Sequence, residues 1–150
     1  MSIVNEMKLD FLSCAANEAF ARMVISAFVL PVNPTLEQLG DVKTSVSEAV
    51  TNAVVHGYGD RSGVVSLRAR MSEDGELTVE ITDRGRGIAD IERARQPFFT
   101  TMEEAERSGM GFTVMESFMD DVQVFSTPGA GTTVRMKKQL LAPCESARRA

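Results

Sequence analysis

The chain has 150 residues, 43% of them apolar and 25% charged, with a formal net charge of −5. That length supports one core of ordinary size, and the acidic balance argues against nucleic acid as the main partner, because DNA binding needs a basic footprint. A single histidine, His56, rules out a multi-histidine metal site, and one Tyr with no Trp leaves no aromatic platform for stacking bases.

No apolar run is long enough to cross a bilayer. The opening Met1-Ser2-Ile3-Val4-Asn5-Glu6 lacks a basic stretch followed by an apolar one, so no export signal is expected. Cys14 and Cys144 lie near opposite ends and give neither a disulfide framework nor metal-ligand spacing. A reducing cytoplasm is the default compartment. Without a linker, repeat or low-complexity tract, residues 1–150 read as one domain. It is expected to be folded to about residue 140, with a tail from Pro143 to Ala150 that frays.

In chain order, Lys8–Leu12 reads as a short strand, after which Ser13 can cap a helix running to about Leu30. Phe20, Val24, Ala27 and Phe28 form its apolar stripe, with Asn17, Glu18 and Arg22 turned away. Pro31-Val32-Asn33-Pro34 breaks the chain. Thr35-Leu36-Glu37-Gln38 fits a capping box opening a long helix to about His56, with Gly57 as its left-handed stop. The expected core stripe is Leu36, Leu39, Val42, Val46, Val50, Ala53 and Val54. Val64–Met71 reads as a strand, Asp74-Gly75 as a hairpin turn, and Leu77, Val79 and Ile81 alternate with polar residues as a half-buried strand. Asp83–Thr101 is loop-rich with a helical piece near Ile91–Arg95. A loop over Met102–Gly109 leads to a helix from about Met110 to Met119, in which Met115 and Met119 fill core. Val122–Ser126 and Thr132–Lys138 are two further strands, joined by a turn over Pro128-Gly129-Ala130-Gly131. Helices alternating with a mostly antiparallel sheet predict an α+β, two-layer α/β sandwich with helices on one sheet face.

Three constellations carry possible chemistry. Glu48, Asn52 and His56 fall four apart and share a helix face beside the core stripe, as either a site or a solvated polar stripe. Asp83-Arg84-Gly85-Arg86-Gly87-Ile88 follows a strand. Its carboxylate can accept from an exocyclic amine while glycines admit a flat ligand, but the same string also makes a simple turn. Ser108-Gly109-Met110-Gly111-Phe112 opens a helix, where free N–H groups and the helix dipole suit phosphate, or where glycines merely start a helix. It is neither a P-loop nor a dinucleotide fingerprint.

Taken together and in this order, Glu-x-x-x-Asn, Asp-x-Gly-x-Gly after a strand and Gly-x-Gly before a helix resemble the GHKL (Bergerat-fold) ATPases, which include gyrase, Hsp90, MutL and sensor histidine kinases. Pro97-Phe98-Phe99-Thr100-Thr101 is similar to the segment that opens their ATP lid. The chain is short for the multidomain members. Asn5-Glu6-Met7, Asn17-Glu18, Phe20-Ala21-Arg22, Ser47–Tyr58, Ala94-Arg95-Gln96-Pro97 and Glu106–Phe112 resemble the anti-sigma F factor (SpoIIAB) family of spore-forming bacteria, related to RsbW. The similarity runs from about Asn5 to Lys138.

The resemblance implies a homodimer that holds a sigma F-type sporulation sigma factor inactive. It also implies an ATP-dependent protein serine kinase acting on a SpoIIAA-type anti-anti-sigma protein. Glu48 would be the general base, and Asn52 an oxygen ligand for Mg²⁺. Asp83 would accept from the adenine amine, with Gly85, Gly87 and Ile88 lining the ring. Thr100, Thr101, Arg107 and Ser108 would sense the γ-phosphate, and Gly109, Met110, Gly111 and Phe112 would bring backbone N–H groups to the phosphates. Glu18 and Arg22 match partner-contacting positions, although their spacing also fits an ordinary helix ion pair. His56 reads as structural, and Arg84 and Arg86 as facing water. Met102 stands where the family pattern leads one to expect lysine, and the loop at Gly59–Ser62 is about a residue shorter. Competing readings are a kinase acting in another sigma-factor switch, an ATP-binding module that only sequesters, and a bare ATPase.

Overall fold

The structure, a computed structural model, describes residues 2–96 and 111–140. Strand β1 (Ile3–Leu12) is followed by helix α1 (Ala16–Val29), a 3₁₀ turn (Leu30–Val32) and helix α2 (Leu36–Thr51), which runs on as a π-helical segment (Asn52–Tyr58). Strands β2 (Val64–Ser72) and β3 (Glu76–Asp83), the short helix α3 (Ile91–Ala94), helix α4 (Gly111–Phe118), and strands β4 (Asp121–Thr127) and β5 (Gly131–Gln139) complete the described elements. The strands form one sheet in the order β1-β2-β3-β5-β4, every neighbour antiparallel.

Period-two alternation determines which side of this sheet is covered. Val65, Leu67, Ala69 and Met71 of β2 and Leu77, Val79 and Ile81 of β3 are buried under the helices. Glu6, Lys8, Asp10, Ser66, Arg68, Arg70, Glu80 and Arg135 lie on the other side. There Glu6 pairs with Arg68 and Arg70, Glu80 pairs with Arg135, and the Ser66 hydroxyl donates to Asp10. The expected two-layer sandwich is therefore present, its sheet wholly antiparallel.

The helices depart from expectation in register. On α1 the fully buried residues are Ala21, Ile25 and Val29, one position on from Phe20, Val24 and Phe28, and Phe20 is 47% exposed. The apolar arc of α1 is wide enough to offer either half to the core, and packing against α2 selects the half with the small Ala21. Ser13 does not cap α1. Its hydroxyl instead accepts from the Gly63 N–H, while the Ser13 N–H donates to the Gly63 carbonyl, tying the open ends of β1 and β2. Leu36, the first residue of α2, is 88% exposed rather than core.

The capping box is present in full: the Gln38 N–H donates to Thr35 Oγ1 at 3.0 Å, and the Thr35 N–H donates to Gln38 Oε1 at 2.9 Å. At the far end, Gly57 is not a stop. The helix widens into the π segment, and the positive φ (61°) falls on Gly59. Lys138 of β5 closes the C-terminal end of α4, donating to the Phe118 carbonyl at 2.6 Å, and lies 3.5 Å from Asp41 of α2. Because the Thr35 cap is exposed and makes no core contact, Thr35→Ala is expected to cost about 1 kcal/mol. Urea denaturation should show this as a lower midpoint at unchanged slope.

Candidate functional site

The site begins where β3 ends. Asp83 is the last residue of β3 and is 6% exposed. Its carboxylate accepts the Gly85 N–H at 2.9 Å and the backbone N–H of Thr132. Burial holds its pKa above the usual aspartate value, and the two amides offset only part of that effect.

Three glycines let the chain pack closely around Asp83. A Cβ on Gly57 would stand 2.8 Å from the Asp83 carboxyl carbon. One on Gly85 would stand 2.0 Å from the Gly57 carbonyl oxygen, and one on Gly131 would stand 2.1 Å from the Asp83 carbonyl oxygen. Gly87 has φ 74°, and a Cβ there would meet the Thr127 carbonyl at 2.3 Å. Sequence reasoning assigned Gly85 and Gly87 to this loop but read Gly57 as a helix stop. No local signal marks this role, because the Asp83 carboxylate that meets Gly57 comes from a strand 26 residues further on.

The loop is fixed from several sides. Tyr58 donates its hydroxyl to the Val64 carbonyl at 2.6 Å and accepts the Arg84 N–H at 2.8 Å. The Arg86 N–H donates to the Gly57 carbonyl at 2.9 Å, and the Ile88 N–H to Ser126 Oγ at 2.7 Å. Tyr58 and Ser126 were not among the expected site residues, because only the tertiary fold brings them to this loop. The Arg84 and Arg86 side chains are exposed, as expected.

A second part lies along α2. Glu48 and Asn52 are half-buried and both reach Gly111, the first described residue of α4. A Cβ there would be 3.3 Å from the Asn52 side-chain amide and 3.4 Å from Glu48 Oε2. The common face expected for Glu48, Asn52 and His56 thus holds for the first pair. His56 lies further on, within the π segment. Burial raises the Glu48 pKa, and the negative charge of Glu18 raises it further. Phe112 is buried in the core, so only its backbone can serve a ligand. Glu18 and Arg22 form the expected ion pair on α1 at 3.6 Å, but Glu18 is not simply turned to solvent: it also accepts from the Ser47 hydroxyl. Thr100, Thr101, Arg107, Ser108, Gly109 and Met110, with Met102, lie outside the described residues. The segment before them is anchored by Arg95, which reaches Glu116 of α4 at 2.6 Å and the Val122 carbonyl at 3.1 Å.

A buried acceptor in a glycine-rich loop, with an Asn–Glu pair that meets Gly111 of α4, suits a nucleotide. The base would meet Asp83, and the phosphates would meet Asn52 and the first N–H groups of α4. The same pattern recurs in known proteins. Residues 11–138 match the family model of the histidine kinase-like ATPase domain. The anti-sigma F factor of Thermoanaerobacter sp. (strain X514) is 52% identical over 140 residues, 93% of this chain and 97% of that one. The chain belongs to the anti-sigma F factor family. Its anti-sigma F relative in Pasteuria penetrans is 55% identical over 139 residues, covering 92% of this chain and 93% of the relative. That of Clostridium acetobutylicum is 53% identical over 135 residues, covering 90% and 94%.

Solved structures agree on the fold. The RsbU and RsbW domains of a Mycobacterium tuberculosis protein superpose with a TM-score of 0.68 at 18% identity, covering 91% of this chain and 33% of that one. ShkA in complex with AMPPNP gives 0.57 at 17%, covering 85% and 30%. This anti-sigma factor chain therefore carries a kinase-like ATPase domain. Among its described residues no helix is long and apolar enough to cross a membrane.

Gly57→Ala is expected to weaken nucleotide binding on the order of tenfold or more, equivalent to about 1.4 kcal/mol, because the added methyl displaces the Asp83 carboxylate. Titration calorimetry with an ATP analogue reads this directly. Glu48 also has a pH signature. Its raised folded pKa means that folding favours the protonated form of this carboxyl. The stability linked to this group is present at low pH and is lost as pH rises through the folded value. Glu48→Gln should therefore melt higher than wild type at neutral pH, and the gap should close below the ordinary glutamate range near ~4.3.

Proposed function

We propose that this chain holds a sigma F-type sporulation sigma factor inactive and, using Mg-ATP, phosphorylates a serine on a SpoIIAA-type anti-anti-sigma protein that competes for it. It acts as a homodimer in the cytoplasm. The observation that carries this reading is the convergence of Glu48 and Asn52 on Gly111, in a chain about half identical to anti-sigma F factors over nearly its whole length.

Phosphoryl transfer asks a protein mainly for positioning and charge neutralisation, and bound Mg-ATP supplies the transferable group. Asp83 orients the adenine by accepting from its amine. Gly57, Gly85 and Gly87 let the loop pack tightly beside Asp83, and Ile88 lines the ring. Asn52 offers a side-chain oxygen of the hard type that Mg²⁺ prefers. Gly111 and Phe112 present backbone N–H groups at the start of α4, and Thr100, Thr101, Arg107, Ser108, Gly109 and Met110 extend the phosphate contacts from the preceding segment. Glu48 accepts the proton of the incoming serine hydroxyl, and its burial makes it a stronger base than a solvated glutamate. Glu18 and Arg22 meet the protein partners on α1, where Met23 is also exposed.

The test is transfer of γ-labelled phosphate to a SpoIIAA-type protein. Glu48→Gln is expected to lower transfer by roughly 10²–10⁴-fold at unchanged nucleotide affinity. Arg22→Ala should weaken partner capture and leave nucleotide binding intact. Nucleotide binding without any transfer by the wild type would replace the kinase with a nucleotide-gated sequestering module.

A further inference from the structure

One oxygen of Glu18 is shared. The Ser47 hydroxyl donates to Oε1, and the Arg22 guanidinium, one turn further along α1, approaches the same atom with Nε at 3.6 Å. Ser47 immediately precedes Glu48 on α2. Arg22 is the outer member of the set, with 44% of its side chain exposed against 26% for Glu18. The contacts therefore run from a surface cation, through a half-buried carboxylate, to the residue beside Glu48.

Two carboxylates on packed helices repel each other. The Oε2 of Glu48 lies toward Gly111, 3.4 Å from where a Cβ would stand. Repulsion from Glu18 favours the Glu48 rotamers that point there over those that point toward α1. The same field is the second influence, after burial, on the Glu48 carboxyl group. Ser47 fixes where the Glu18 charge sits, and Arg22 sets how much of it is neutralised. An ion pair this exposed is weak, so an acidic group on a docking protein competes readily for Arg22.

We propose that Glu18 is a positioning residue: pinned by Ser47 and capped by Arg22, it aims Glu48 at the Asn52–Gly111 end of the site, and a protein whose acidic side chain draws Arg22 away strengthens that aim. The α1 surface then senses docking as well as providing it. This rests on Glu48 acting as the base.

The experiment measures kcat and the KM for a SpoIIAA-type substrate with the full chain and Mg-ATP. The variants are Ser47→Ala, Ser47→Thr, Glu18→Gln, the Ser47→Ala/Glu18→Gln double mutant, and Glu48→Gln. Ser47→Ala changes no charge and leaves the exposed face of α1 intact. It is expected to lower kcat roughly ten- to hundredfold with KM and nucleotide affinity unchanged, and Ser47→Thr should restore kcat. Glu18→Gln should lower kcat and raise KM, and the double mutant should have the kcat of Glu18→Gln alone. Wild-type kcat in Ser47→Ala beside an inactive Glu48→Gln overturns the positioning role and leaves the base in place. Independent, multiplying losses in the double mutant overturn the link between Ser47 and Glu18. Full activity in Glu48→Gln overturns the base assignment and this inference with it.

Discussion

The close approach between the end of β3 and the end of the long helix governs the site. Asp83 brings a carboxylate into the interior, and the Gly57 backbone lies against it at a distance no side chain tolerates. Gly85 must in turn pass the Gly57 carbonyl, and Gly131 the Asp83 carbonyl. Each glycine gives up helix or strand propensity and adds to the entropy lost on folding. The buried carboxylate adds a desolvation cost that two amide N–H groups offset in part. These costs leave a carboxylate acceptor at the edge of the core, held between close-packed backbones.

The rest of the fold holds this junction in place. Tyr58 bridges the Val64 carbonyl and the Arg84 amide, so the end of the π segment, the start of β2 and the Asp83 loop move together. Ser126 holds Ile88 from β4, and Arg95 ties the segment after the loop to α4 and β4. The π segment shifts the helical register by part of a turn between Asn52 and Tyr58. Upstream of it, Glu48 and Asn52 reach α4, and downstream of it Gly57 reaches Asp83. On the proposed reading, this one continuous helix meets both ends of the nucleotide.

Fold and family carry different weight here. Structures at 17–18% identity share the helices and the sheet, and they include proteins of differing architecture. That likeness speaks for the fold alone. Identity above half, over more than nine tenths of both chains, joins this chain to the anti-sigma F factors. On the proposed reading, α2 faces the nucleotide on one side and packs against the partner-docking helix α1 on the other. Docking and phosphotransfer would then meet across a single helix–helix interface.

The sequence by itself determined the elements whose signal is local. The Thr35–Gln38 capping box, the Asp74-Gly75 turn, the alternation in β3 and the pairing of Glu48 with Asn52 depend on neighbours within a turn or a hairpin, and the structure has each of them. The order of the three motifs also pointed to the histidine kinase-like ATPase domain. Tertiary structure decided what local periodicity leaves degenerate. Both halves of the apolar arc of α1 satisfy the helical period, and contact with α2 chose Ala21, Ile25 and Val29. Ser13 looks like a cap until Gly63, fifty residues on, takes its hydroxyl. Gly57 reads as a helix stop until Asp83 arrives beside it, and Glu18 reads as a solvated charge until Ser47 of the next helix donates to it. In each case the deciding atom belongs to a segment distant in the chain, and only the packed core fixes its position.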